Sequence, residues 1–369
     1  MTGLATDFSK IRCGAEEVKY LEFRYLGLLP IFCCGFLCRD HHNDSELSAN
    51  LSSNMSSNNL PSSPARQTPD SLLDSAIRHN SVDILRSAID LLQHLSTDEV
   101  ENFVQEALAA TIYAGSAKLT EHLLKTESVN LSSISASSIS AKPSVGLFEV
   151  LLAHGWDVNR ADEKTPLLKG QRIIDHAISN EELTRWLVEH GARVDGGDEG
   201  NEVDPRPPPL LETCAAHGSV STLRFLCAQG ARPGRRMLHR AILRAAQVGA
   251  DPESAMNGTF SSNDEYEPET ELRVRESERM ASYLVNELEL DVNASEPDIP
   301  WHFGTPINHA AAQKDGAKVV RWLLGKGADP KKKGEVGMDA EAFAKAHLCN
   351  EVLEVLKQWR EEKMKERAG

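Results

Sequence analysis

One short pattern recurs along this chain: an Ala-rich apolar run, a polar turn, then a Leu-rich run ending in Gly-Ala. The clearest copy is residues 304–330, GTPINHAAAQKDGAKVVRWLLGKGADP. Others are 208–233, PPLLETCAAHGSVSTLRFLCAQGARP, and 172–195, RIIDHAISNEELTRWLVEHGARVD. Looser endings of the same kind are LLAHGWDVN at 151–159 and LVNELELDVN at 284–293. Self-similarity at this spacing marks repeat architectures, in which each unit is one supersecondary element.

The pattern predicts a helix hairpin. Thr305 stands where an N-cap belongs and Pro306 at the first helical position, where its missing N–H costs nothing. Ile307, Ala310 and Ala311 form one apolar face, and the alanines let neighbouring helices approach. The turn falls at Lys314–Gly316, as at His217-Gly218 in the second unit. Val319, Val320, Leu323 and Leu324 recur at the 3.6-residue period of a second helix. Gly155, Gly191, Gly230 and Gly327 each follow the last apolar pair, where a left-handed C-cap needs a residue without a Cβ. A lone hairpin cannot bury both apolar faces, whereas stacking copies in a row does.

These strings resemble ankyrin repeats, whose pattern runs Thr-Pro-Leu-His-x-Ala-Ala, Gly-His, Val-Val-x-x-Leu-Leu and Gly-Ala-Asp-x-Asn. Unit 304–330 matches at Thr305, Pro306, Ala310, Ala311, Val319, Val320, Leu323, Leu324, Gly327, Ala328 and Asp329. Unit 208–233 matches at Leu211, Ala215, Gly218, Leu223, Leu226, Gly230 and Ala231. The family's histidine is replaced by Asn308, Glu212 and Asp175, which puts its usual turn hydrogen bonds in question. Weaker copies cover 69–93, 103–130, 131–160 and 235–293, with a last one in EAFAKAHLCNEVLEVLKQW. The form is degenerate, similar to ankyrin proteins of filamentous fungi. The resemblance implies an all-α solenoid of about eight helix-turn-helix units over 69–360, joined by short β-hairpins or loops.

Around that array, residues 1–42 read as a poorly ordered leader and 43–68 as a Ser/Asn-rich linker too polar to repay its ordering entropy. Residues 250–272 form an acidic insertion, and 361–369 a charged tail. The apolar stretch 26–38 is too short for a bilayer and Pro30 interrupts it. Cys33, Cys34 and Cys38 could be acylated as a membrane tether. With His41 and His42 they match no standard zinc spacing. Seven scattered cysteines imply no disulfide framework and hence a reducing compartment. Cys214, Cys227 and Cys349 read as small apolar residues. Ser63 and Thr68 precede prolines as candidate phosphorylation sites. Asn257 and Asn293 open chance glycosylation triplets.

A net charge of −15 argues against a nucleic-acid binder and favours a basic protein partner. No phosphate-binding glycine loop, metal-ligating His/Cys spacing or nucleophile elbow occurs. The expectation is therefore a non-catalytic, monomeric scaffold without cofactor or metal. It is expected inside the cell, in the cytoplasm, with Lys331–Lys333 as a nuclear-import alternative. A membrane-tethered adaptor and a substrate-selecting subunit of an enzyme are the rival readings. In ankyrins the hairpin tips and inner helices form the binding surface, which maps onto Trp156, Arg160, Asp162, Trp301, His302, Lys331 and Lys332. The alternative for Trp156 and Trp301 is packing between hairpins. Trp186 and Trp322 read as core, and His154, His190 and His217 as structural.

Overall fold

Each Leu-rich run buries one face against the Ala-rich helix before it. In a computed structural model of the chain the described residues are 68–162, 170–195, 208–253, 269–296 and 303–368. They all belong to one unit, Arg66–Gly369. Residues 1–67, and with them the leader, its cysteines and Ser63, lie outside the described residues, as does most of the 250–272 insertion. The helices in chain order are α1 (Pro69–His79), α2 (Val82–Asp90), α3 (Thr97–Tyr113), α4 (Ala117–Thr126), α5 (Ala136–Ile139) and α6 (Val145–Ala153). There follow α7 (Ile173–Ala177), α8 (Glu181–Glu189), α9 (Leu210–His217), α10 (Val220–Ala228) and α11 (Met237–Gln247). The series ends with α12 (Glu269–Asn286), α13 (Pro306–Ala311), α14 (Ala317–Gly325), α15 (Ala340–Ala346) and α16 (Asn350–Ala368). No strand occurs among the described residues, so where β-hairpins were expected the connections are loops.

Consecutive helices pair within hairpins, and corresponding helices pack between hairpins. One layer runs α3–α5–α7 and α9–α11–α13–α15; the other runs α2–α4–α6, α8–α10–α12 and α14–α16. Alanine makes the first layer close: Ala107, Ala245, Ala246, Ala310, Ala311 and Ala344 are wholly buried. The second layer buries bulk, as α14 does with Val319, Val320, Trp322, Leu323 and Leu324. Each such side chain contributes about 1.5–3 kcal/mol, and truncating Leu323 to Ala would cost about 2–5 kcal/mol. Side-chain caps set the helix starts at Ser81, Ser116, Ser144, Asn180 and Ser219. The four glycines expected at C-caps have φ of 84, 94, 91 and 89° at positions 155, 191, 230 and 327.

Several boundaries differ from the sequence reading. The third helix starts at Thr97, ahead of the 103–130 unit, on a Ser96/Glu99 capping box. Helix α12 begins at Glu269, inside the stretch read as acidic insertion. The charged tail is the exposed end of α16, helical to Ala368, with Lys363 paired to Glu366 at 2.7 Å. Thr305 occupies its N-cap position, yet its buried hydroxyl bonds to nothing among the described residues. Cys227 is exposed and not packed like Cys214 and Cys349.

Candidate partner-binding surface

The loops between hairpins are tied together by side chains. At the end of one unit Asn159 donates from Nδ2 to the Gly191 carbonyl (2.9 Å) and accepts from the Arg193 N–H (2.7 Å). At the end of another, Asn293 donates to the Gly327 carbonyl (3.0 Å) and accepts from the Asp329 N–H (2.7 Å). Ahead of each, an aspartate accepts the asparagine's own N–H: Asp157 at 2.9 Å and Asp291 at 2.8 Å. Because its amide is committed to this bracket, Asn293 is unsuited to carry a glycan.

Beneath the loops runs a row of buried polar side chains, all at the third position of a first-layer helix. Asp175 accepts from the Arg172 N–H (2.7 Å), and Glu212 from the Arg236 N–H (2.8 Å). His239 bonds through Nε2 to the carbonyls of Ala294 (3.0 Å) and Gly304 (3.2 Å). Asn308 donates to the carbonyls of Phe303 (2.9 Å) and Lys332 (3.2 Å). The three residues at the position where ankyrin repeats carry histidine, Asp175, Glu212 and Asn308, thus make backbone hydrogen bonds of their own. Burial raises the carboxyl pKa of Asp175 and of Glu212, against the pull of Arg172 and Arg236 respectively. Burial also holds His239 down to about 4, with His309 adding to the effect, so the ring is neutral at pH 7.

Two loops are rooted on buried acids. Asp162, 2% exposed, pairs backbone to backbone with Gln171 and Gly170, and its carboxylate accepts from the Ser137 N–H at 3.1 Å. Glu296 pairs likewise with Gly304 (2.7 Å), and its carboxylate meets His309 Nε2 at 2.8 Å and Arg236 Nε at 3.4 Å. Phe303 closes this root edge-on against His309 and Phe343, each 4.9 Å away. Gly304 is required here: its φ is 97°, and a Cβ would overlap the backbone of Gly334. A carboxylate–histidine couple is also general-base chemistry, but Glu296 and His309 are each 7% exposed, and Glu296 holds the Gly304 backbone while His309 bonds to Glu296. Among the described residues no group of three His, Cys, Asp or Glu could hold a metal ion.

The expected tip residues divide. Trp156 is 3% exposed and lies against Phe148, ring centroids 6.3 Å apart, which corrects its assignment to an exposed tip. Its backbone N–H bonds to the Leu151 carbonyl at 3.0 Å just after Gly155, and the indole lies inward. Asp162 is also corrected, from tip to loop root. Lys332 is a tie, its ammonium bonding the Asn293 carbonyl at 2.6 Å. Arg160 is half-buried and Lys331 exposed. Trp301 and His302 lie outside the described residues, in the span that the Glu296–Gly304 root brackets.

Of the structural readings, Trp322 is buried and Trp186 half-buried, stacked on His190 at 3.8 Å. His154 and His190 bond through Nδ1 to carbonyls four residues earlier, whereas His217 ends a first-layer helix. Thr68 caps α1 with its hydroxyl, accepting from Ser71 N–H at 3.2 Å. The cluster of Arg236, His239, Glu296 and His309 was missed. His239 holds the position of Glu212 and Asn308, but the long gap in its unit hides the equivalence. No protein-family model matches the chain, and no curated protein is significantly similar to it.

Proposed function

We propose that the chain is an ankyrin-type scaffold that binds another protein through its loop layer and first-layer helices, without catalysing a reaction. The observation that carries this is the anchoring of the loops from below, by the Asn159 and Asn293 brackets and the roots at Asp162 and Glu296. The described loop residues that these bonds tie down before binding lose less conformational freedom when a partner docks. The repeated bracket also supports the ankyrin resemblance, since two units end in the same hydrogen-bond pattern. The solenoid reading rests on this recurrence and on the two helical layers. The acidic net charge favours a basic surface on this partner. Of the residues expected to contact the partner, Arg160 and Lys331 are the described ones still open to it, and Trp301 and His302, outside the described residues, complete the proposed set.

The test is affinity purification with mass spectrometry from native cells. It compares the full chain with an Arg160→Glu/Trp301→Ala/His302→Ala variant of equal thermal stability. A protein retained at fixed ratio by the first and lost by the second supports the proposal. Equal retention by both would refute the loop layer as the binding surface.

A further inference from the structure

Cations on the solvent-facing side of the second layer are, on most helices, held against carboxylates. Arg86 meets Asp83 on α2, Lys125 meets Glu121 on α4, and Arg185 meets Glu181 on α8. Arg224 of α10 reaches Glu287 at 2.7 Å, Arg279 meets Glu276 on α12, and Lys357 meets Glu354 on α16. Helix α14 differs. Its Lys318 and Arg321 are exposed and form no salt bridge with any described residue. The same holds for Lys314 in the turn before it and for Lys331 and Lys333 beyond it. Residues 314–333 place seven lysines and arginines against two aspartates, in a chain of net charge −15. Asp329, one of those two, already accepts the N–H of Lys331 at 2.9 Å.

We infer that this stripe, centred on α14 and meeting the loop layer at Lys331 and Lys333, is a second docking surface and that it takes an acidic segment of a partner protein. The nine residues of α14 span about 13 Å, with lysines continuing at both ends. That is a line of charge. It matches carboxylates spaced three to four residues apart better than a single small anion, which would need convergent donors in a concavity. A membrane would need apolar anchors beside the charge, yet the large side chain of the stripe, Trp322, is 4% exposed. Single-stranded nucleic acid would want aromatic faces for its bases, and the stripe exposes none. Among the described residues no carboxylate pairs with Lys314, Lys318, Arg321, Lys331 or Lys333, which leaves these five to an external anion. Attraction of this kind is read out as salt-sensitive association.

The experiment is fluorescence anisotropy of a labelled ten-glutamate peptide with the full chain, at low and physiological salt. One variant carries Lys314→Glu, Lys318→Glu and Arg321→Glu. A control of equal net charge carries Arg86→Glu, Lys125→Glu and Lys357→Glu. Circular dichroism melts verify that both fold. The expected result is salt-sensitive binding that the stripe variant weakens about tenfold or more and the control less than about threefold. Three outcomes overturn the inference: no binding at low salt, equal weakening by both variants, or tighter stripe-dependent binding of phosphatidylserine vesicles or single-stranded RNA than of the peptide.

Discussion

Leu348 holds a left-handed backbone, φ 58°, while 80% of its surface faces solvent. A bulky L-residue in that region carries a cost of roughly 1–2 kcal/mol, and an exposed side chain returns little packing to offset it. Corresponding turns give the position to Asn80 (φ 48°) and Gly115 (φ 72°), residue types that adopt it readily. Leu348→Asn is therefore expected to raise stability by about 0.5–1 kcal/mol, read as a higher urea midpoint at unchanged slope. Leu348→Ala keeps the same backbone strain and should not. A lower midpoint for the asparagine variant would show that Leu348 is held by contacts worth more than its strain. The same scale shows where sequence reading falls short. The four capping glycines were legible because only backbone geometry is at stake there. Asp162 was placed correctly along the chain but facing the wrong way, and Trp156 took the packing alternative over the exposed tip. Nothing in a loop's composition says whether its side chains turn toward the neighbouring hairpin.

Among elements, the junction of α9, α11 and α13 gathers the buried charges of Glu212, Arg236 and Glu296 around two histidines. Facing the His239 ring are His309 from α13, 5.5 Å away between ring centroids, and Glu296 from the loop, which Arg236 ahead of α11 meets at 3.4 Å. The folded pKa of His239, about 4, lies below the ordinary 6.5. Between those values the unfolded chain takes up a proton that the folded one refuses. The stability tied to the neutral ring is whole above pH 6.5 and declines as pH falls toward 4, by about 3 kcal/mol at most. His239→Asn, which keeps a donor for the Ala294 and Gly304 carbonyls, should lower stability at pH 7. It should also flatten the loss between pH 7 and 4.5, measured as urea midpoints. Parallel pH profiles for the two proteins would remove His239 as a source of acid sensitivity. Helix existence was legible wherever apolar residues recur at helical spacing. The starts of α3 and α12 and the end of α16 were not, because charged residues obscure the period there. Local pairs and caps, such as Lys363–Glu366 and the Ser96/Glu99 box, accompany those ends.

For the molecule as a whole, the proposed row of hairpins has the consequence that damage should stay local. In the second layer α4 packs on α2 and α6, α10 on α8 and α12, and α14 on α16. In a repeat array stability is close to a sum of unit and nearest-neighbour terms, so one weakened unit loosens its neighbours first. Leu119 of α4 is wholly buried, and Leu119→Ala removes about 2–5 kcal/mol from its site. Under native conditions, hydrogen exchange by mass spectrometry should quicken most in α3 and α4, less in α2 and α6. Peptides from α13 to α16 should keep the protection they have in the unsubstituted protein. Leu323→Ala in α14 should produce the mirror image, sparing α2 to α6. Were both substitutions to accelerate exchange evenly from α1 to α16, the described helices would form one cooperative core. The resemblance to repeat proteins would then lose its physical basis, and with it the expectation that separate faces bind separate partners.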